Sequence, residues 1–233
     1  MERKKIFTSS GEVLYEDEII NLPYIGEGGC GNAYQLGNDK VIKIADSRID
    51  EVECDTLKTI QNLNLPNFYR LYDILFREKS GLRTFAGTIA SYHTRETVNI
   101  WMSPSSYIIE SYEKLIEGAI KLGEKGIRMK DVFGNFIVNK SGITIIDVDL
   151  YSQTDKPMID NNLFVVNGDL FSSLLRKNFM DYCGISNIKL LDRALREFFD
   201  KNVDSMHKKD FVKTLSKYPT PFDYLVERKK TSI

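Results

Sequence analysis

Short runs of apolar and β-branched residues dominate the first 90 or so positions of the chain. Residues 33–36 and 40–45 predict two strands joined by a turn at residues 37–39, and a run at 19–25 leads into a cluster of glycines just before them. Residues 71–76 and 84–92 predict a second pair of strands around a charged turn. This part of the chain is therefore expected to be mainly β-structure.

One segment among these strands has apolar residues at helical spacing, and most segments after residue 93 have that spacing as well. Residues 50–63 place apolar side chains on one face of a helix, and a longer helix is predicted from residue 106 to a stop near Gly123 or Gly126. Residues 163–179 and 187–199 predict two further helices. A hairpin is predicted between them and the long helix, from strands at 136–138 and 143–148 around a turn at 139–142.

The pattern as a whole predicts an α+β fold with two lobes. A small β-rich N-lobe with one main helix covers residues 1–92, and a reduced, mainly helical C-lobe covers residues 93–233. Because 233 residues fit within a single catalytic unit, we expect the two lobes to form one domain.

Composition removes several classes of function. With 42% apolar and 28% charged residues the chain can bury a core, and 32 Lys and Arg against 33 Asp and Glu leave a net charge of −1. No global field draws the protein to nucleic acid or to an anionic membrane, and no apolar run approaches the roughly 20 residues of a membrane span. We expect a cytoplasmic monomer with neither type of partner; export by a signal-less route, as for an effector, stays open.

Cysteines and histidines do not form a recognisable site in the sequence. The three cysteines lack CxxC spacing and the two histidines, His93 and His207, lie far apart. Neither a structural zinc site nor a disulfide framework is indicated, and a Ser-His-Asp or Cys-His mechanism is disfavoured.

The glycine cluster at residues 26–31 has the spacing GxGxxG and lies between two predicted strands. In a dinucleotide-binding fold these glycines would open a helix, so that interpretation fails on context. Backbone without a Cβ can approach phosphate oxygens closely, and Lys43 on the next strand can supply a positive charge to them. The predicted phosphate-binding residues are Gly26, Gly28, Gly29, Gly31 and Lys43.

A lysine in a cleft needs an opposing charge to offset its desolvation. The helix predicted at 50–63 offers Glu51 and Glu53. We prefer Glu53, since Leu57 four positions later would face the core, but the choice between the two stays open.

Oxygen-bearing side chains lie at the ends of the predicted hairpin. Asn135 precedes its first strand and Asp147 follows Ile145 and Ile146 on its second, so a carboxylate is expected there in an ion pair or on a metal. Asn and Asp oxygens together with nucleotide phosphates suit Mg²⁺. Asp131, in the preceding loop, can accept or orient the proton of an attacking hydroxyl.

Taken in order, these residues resemble the eukaryotic-like protein kinase superfamily. Residues 26–31 look like its glycine-rich loop, Lys43 like its Val-Ala-Ile-Lys lysine and Glu53 like its pairing glutamate. Asp131 is similar to the aspartate of His-Arg-Asp, Asn135 to the metal-binding asparagine, and Asp147 to the aspartate of Asp-Phe-Gly. The resemblance covers about residues 19 to 150 and implies ATP and Mg²⁺ as cofactors and Asp131, Lys43 and Glu53 as catalytic residues.

The chain also departs from that family's pattern. Met129 and Lys130 replace His-Arg, the spacing from Asp131 to Asn135 is one residue shorter, and Asp147-Val148-Asp149 replaces Asp-Phe-Gly. The resemblance implies phosphoryl transfer from ATP to a Ser, Thr or Tyr hydroxyl of a protein substrate. The alternatives are a pseudokinase that binds nucleotide as a scaffold, a small-molecule kinase, and an AMP transferase.

Overall fold

The computed structural model describes residues 3–28, 31–46, 53–94, 98, 100–130, 132, 135–166, 213 and 215–223. Three elements precede the glycine cluster: strands β1 (Lys5–Thr8) and β2 (Val13–Tyr15) and a short helix, α1 (Glu16–Ile19). The sequence pattern did not predict this helix. Ile19, at the start of the run predicted at 19–25, ends α1, and the strand itself begins only at Tyr24.

A seven-stranded antiparallel sheet contains both predicted strand pairs. Its other strands are β3 (Tyr24–Gly28), β4 (Gly31–Leu36), β5 (Lys40–Ala45), β6 (Leu71–Lys79) and β7 (Leu82–Ser91). The strands lie in the order β2-β1-β6-β7-β5-β4-β3, so β5 is held between β4 and β7. Ile42 and Ile44 are buried in a cluster with apolar residues of β1, β6 and β7. Because side chains alternate along a strand, Lys43 between them lies on the opposite face.

Helix α2 (Cys54–Asn62) occupies the segment where an amphipathic helix was predicted. Leu57 and Ile60 are buried, as its apolar period requires. The predicted start at residue 50 is wrong, because Glu53 has an extended backbone and the helix begins after it; residues 47–52 lie outside the described part of the chain.

The central helix is α3 (Ser105–Glu124), which follows a 3-10 turn at Ile100–Met102. Its predicted apolar face is confirmed, because Ile108, Tyr112, Leu115, Ala119 and Leu122 are all buried in the larger of two hydrophobic clusters. Within the part of the chain that the structure describes, no helix combines the length and apolarity that crossing a bilayer requires.

The predicted hairpin follows α3 and is formed by β9 (Phe136–Asn139) and β10 (Gly142–Ile145). Strand β10 ends at Ile145, so residues 146–148 were wrongly predicted to continue it. Around the hairpin lie β8 (Ile127–Arg128), paired with β11 (Ser152–Gln153), and helix α4 (Ile159–Phe164). Helix α4 begins four residues before the predicted start at 163, and the helix predicted at 187–199 falls outside the described residues.

The hairpin is joined to the sheet by the loop that follows α2. Ile145 donates its N–H to the Asn67 carbonyl at 2.9 Å and accepts the Tyr69 N–H at 2.8 Å, and the Asn67 side chain donates to the Ile143 carbonyl at 2.9 Å. The larger hydrophobic cluster draws residues from both sides of the predicted lobe boundary. The fold is thus mixed α and β, while its division into two lobes stays a prediction.

Candidate functional site

Three charged side chains meet where strand β5 faces the end of strand β10. The Lys43 Nζ lies 2.6 Å from Asp147 Oδ2 and 2.7 Å from Asp149 Oδ2. The lysine and the first aspartate are 104 positions apart in the chain. The fold therefore brings together the predicted phosphate-binding lysine and a predicted metal ligand.

The backbone of Lys43 is fixed by close packing of β7 against β5. Lys43 is paired with Thr88, and Gly87 lies next to it on β7 with φ near +147°. A Cβ at Gly87 would lie only 1.9 Å from the Lys43 carbonyl oxygen. Glycine is therefore required at position 87 for the two strands to approach, a constraint that the sequence pattern did not reveal.

The two aspartates differ in their exposure. The Asp147 side chain is 24% exposed, whereas that of Asp149 is 3% exposed. They belong to one tight turn, since Asp147 Oδ1 accepts the Asp149 N–H at 3.2 Å. Asp147 thus keeps access to solvent while Asp149 lies behind it in the interior.

The charges of this cluster do not balance. Burial by itself lowers the pKa of Lys43, but the neighbouring charges of Asp149 and Asp147 outweigh it and raise that pKa above its usual value. Burial also raises the pKa of Asp149, and Asp147 adds to the rise while Lys43 opposes it. The lysine therefore gains from the arrangement, whereas the second carboxylate is only partly compensated. When all three groups are ionised, their net charge is −1.

Asp149 lies in a buried polar environment. The side chains of Tyr69 and Thr88 are also buried, and the charge of Asp149 raises the pKa of the Tyr69 hydroxyl further than burial alone does. The Tyr69 hydroxyl lies close enough to Asp149 to lower the pKa of that carboxyl, and its contacts with Thr88 and Val148 lower its own pKa, although within the described residues none of these contacts is well aligned. The Lys43 ammonium is therefore the main compensation that the structure provides for the Asp149 charge.

Asn135 lies beside Asp147 because the hairpin pairs their neighbours. Phe136 is paired with Ile145, and one position further the Asn135 carbonyl accepts the Ile146 N–H at 3.0 Å. Asn135 is half-buried, and its own N–H is donated to the Val132 carbonyl at 3.2 Å. The two predicted metal ligands thus occupy neighbouring positions at one end of the hairpin.

Glu53 does not meet Lys43 in the structure. It lies just before α2, where its Oε2 accepts the Gln153 N–H at 2.6 Å and the Thr56 hydroxyl at 2.8 Å. The bond from Gln153 is the main cause of a lowered pKa at Glu53. This glutamate therefore ties the start of α2 to β11, whereas the ion pairs of Lys43 among the described residues are with Asp147 and Asp149.

The predicted glycine loop is a β-hairpin between β3 and β4. Gly26 is paired with Ala33 and Gly28 with Gly31, while Gly29 and Cys30 lie outside the described residues. Gly31 has φ near +145°, and a Cβ there would lie 2.1 Å from the Ile44 carbonyl oxygen. A Cβ at Gly26 would meet nothing within 4 Å. Gly31 is thus required by strand packing, and Gly26 leaves open space of the kind a ligand could approach.

The loop before Asp131 is anchored by a residue that sequence reasoning missed. Asn162 on α4 is fully buried, accepts the Met129 N–H at 2.9 Å, and donates to the carbonyls of Ile127 at 2.8 Å and Ala119 at 3.2 Å. An asparagine in a short helical run gave no local sign of this role. Asp131 itself, the predicted catalytic aspartate, lies outside the described residues, as does Glu51.

The described residues include oxygen-bearing side chains of the kind that a magnesium ion binds in nucleotide sites. No group of three or more His, Cys, Asp or Glu side chains within the described ranges forms a metal cage. Magnesium in nucleotide sites commonly uses one or two protein oxygens together with phosphates and waters, a role for which Asp147 and Asn135 have the right chemistry. When both aspartates are ionised, the excess negative charge around Lys43 also favours a cation.

Comparison with known proteins adds little to this geometry. No protein-family model matches the chain. No curated protein matches it either. Among solved structures it is similar to a kinase of Legionella pneumophila bound to IP6, at 12% sequence identity and a TM-score of 0.42, with 72% of this chain and 64% of that chain covered. The chain thus spans less than two thirds of that structure, and a likeness at this level does not decide the function.

Proposed function

We propose that this chain is a minimal kinase that transfers the γ-phosphoryl group of ATP to a hydroxyl of a protein substrate. The observation that carries the proposal is the 2.6 Å contact between Lys43 and Asp147. Lys43 is on β5, next to the glycine-rich hairpin of β3 and β4, and Asp147 follows β10 of the second hairpin. Phosphoryl transfer depends mainly on positioning and charge neutralisation, and this cluster offers both a cation and oxygen ligands.

Each residue has a distinct part in the proposed reaction. The Lys43 ammonium binds phosphate oxygens, and the backbone at Gly26 and Gly28 approaches them. Asn135 and Asp147 hold magnesium, which would neutralise charge on the phosphates. Asp131 accepts the proton of the acceptor hydroxyl, and the oxygen of that hydroxyl forms a bond to the γ-phosphorus. At the same time, the bond from the γ-phosphorus to the bridging oxygen of the departing ADP breaks.

The test uses the purified chain with magnesium and ATP labelled on the γ-phosphate, with a generic protein as acceptor. Lys43→Met and Asp147→Asn are expected to lower the label transferred by about 100-fold or more. Lys58→Met and Asp55→Asn make the same chemical changes on exposed side chains of α2 and are expected to have no effect.

Other outcomes of this experiment would indicate a different function. Label transferred from the α-phosphate would indicate an AMP transferase, and transfer to small hydroxyl compounds alone would indicate a small-molecule kinase. Binding of MgATP without transfer to any acceptor would indicate a pseudokinase. Equal activity in Asp147→Asn and the wild type would contradict the assignment of the site.

A further inference from the structure

We propose that Asp149 is the positioning residue of this site: it holds the Lys43 ammonium in place and leaves Asp147 available to a metal ion. The inference rests on the proposed function and assigns a role to a residue for which the sequence pattern suggested none. The carboxylate that positions Lys43 thus lies in the segment after β10, and not near helix α2 as the sequence suggested.

Burial separates the roles of the two aspartates. Both oxygens of Asp149 are inaccessible to solvent, and its side chain is 3% exposed against 24% for Asp147. A carboxylate without an accessible oxygen is poorly placed to coordinate an incoming ion, but it can hold an ammonium that already lies 2.7 Å away. Asp147, at the more exposed side of the same lysine, is the carboxylate that a metal ion can reach.

The surroundings of Asp149 favour a lasting pair with Lys43. Among the described residues, Lys43 is the only cation paired with this buried carboxylate, and the Tyr69 hydroxyl is its other polar neighbour. Loss of the lysine would leave a buried charge uncompensated, so the pair is expected to persist when Lys43 turns from Asp147 toward a phosphate. Asp149 would then act as a tether that keeps the ammonium at the cleft.

The described carboxylates near α2 do not take this part. Glu53 is occupied by the Gln153 N–H and the Thr56 hydroxyl, and the Asp55 side chain is 95% exposed and paired with Lys58. Since a lysine aligned by a fixed carboxylate loses less freedom on binding phosphate, the tether should increase both phosphate affinity and turnover.

The experiment compares the affinities of MgATP and adenosine in the full chain. Asp149→Asn is expected to weaken MgATP about 10-fold, leave adenosine unchanged, and lower kcat about 100-fold. Asp55→Asn is the matched control on an exposed aspartate. In a Lys43→Met background, Asp149→Asn should change MgATP affinity less than about 2-fold, because its effect passes through the lysine. Thermal melting of each variant, with Asp149→Ser as a second neutral substitution, verifies folding.

Several results would overturn the inference. Equal weakening of MgATP and adenosine would indicate a purely structural role, as would an unchanged penalty in the Lys43→Met background. Wild-type affinity in Asp149→Asn, with weakened MgATP in Glu51→Gln or Glu53→Gln, would return the role to the glutamates.

A second readout does not depend on catalysis. The rate at which an amine-acylating reagent modifies Lys43, measured against Lys58 by mass spectrometry, should rise at least about 3-fold in Asp149→Asn and not in Asp55→Asn. An absence of MgATP binding in the wild type would defeat the proposed function. An unchanged acylation rate in Asp149→Asn would defeat the inference by itself.

Discussion

At the scale of single residues, a buried carboxylate holds a turn of the sheet in place. Asp73 on β6 is 9% exposed and accepts hydrogen bonds from the Ser9 hydroxyl, from the Ser10 hydroxyl at 2.6 Å and from the Ser10 N–H at 3.2 Å. Burial alone would raise the pKa of Asp73, but these bonds from Ser10 and Ser9 lower it. The ionised carboxylate therefore holds the turn between β1 and β2 against the sheet.

We expect Asp73→Asn to lower the free energy of unfolding at pH 7 by about 1–3 kcal/mol. Because the folded pKa lies below the unfolded value, this contribution is present above the unfolded pKa, near 3.9, and is lost as pH falls through the folded pKa. The difference between wild type and variant in urea unfolding should thus shrink below about pH 4. Asp55→Asn serves as the exposed control, and a difference independent of pH would contradict the assignment.

At the scale of elements, helix α4 holds the segment that leads to Asp131. Asn162 satisfies one N–H and two carbonyls on α3 and the residues 127–129. Its side chain thus joins helix α4 to the segment that leads into this loop, as a short strand pairing would. Met129 and Val132 on that loop are buried, which fixes its path further.

Replacement of Asn162 by alanine is expected to cost roughly 3 kcal/mol of stability, because three buried backbone groups lose their partner. Phosphoryl transfer should fall as well, even under conditions where the variant is folded. The matched control is Asn161→Ala, one position away on the same helix, whose side-chain nitrogen has no hydrogen bond within the described residues. Equal loss of stability in the two variants, measured by urea unfolding, would argue against this role.

At the scale of the whole molecule, two connections among the described residues join the sheet to the hairpin of β9 and β10. One is the backbone pairing of Asn67 and Tyr69 with Ile145, and the other is the ion-pair cluster of Lys43 with Asp147 and Asp149. The first sets the distance between the two parts. The second places the Lys43 ammonium opposite the two carboxylates, and the desolvation of these charges costs free energy.

Removal of the Lys43 ammonium, which both aspartates share, should therefore lower the stability of the whole fold. Lys43→Met is expected to lower the free energy of unfolding by about 3–5 kcal/mol, because it leaves a buried carboxylate uncompensated. Adding Asp149→Asn removes that charge and should restore part of the loss. Lys58→Met, at an exposed lysine, should change the stability by less than about 0.5 kcal/mol. A double variant less stable than Lys43→Met would show that the pair is not the source of the effect.

Local patterns were sufficient to predict the elements that surround the site. The strands on either side of the turn at 37–39, the apolar face of α3 and the hairpin of β9 and β10 each follow from a hydrophobic period within a dozen or so residues, since one face of each element must be buried. The resemblance of Lys43, Asn135 and Asp147, taken in order, to the motifs of a kinase family also implied a shared site.

Only the tertiary structure decided which of these side chains meet. Glu53 and Asp149 were both available carboxylates, yet the first contacts the Gln153 N–H and the second contacts Lys43. Asn162 and Gly87 likewise acquire their roles from elements distant in sequence. Periodicity determines which face of an element is buried, whereas the partner of a charge depends on how elements more than 100 residues apart cross, and that is settled by packing of the whole core.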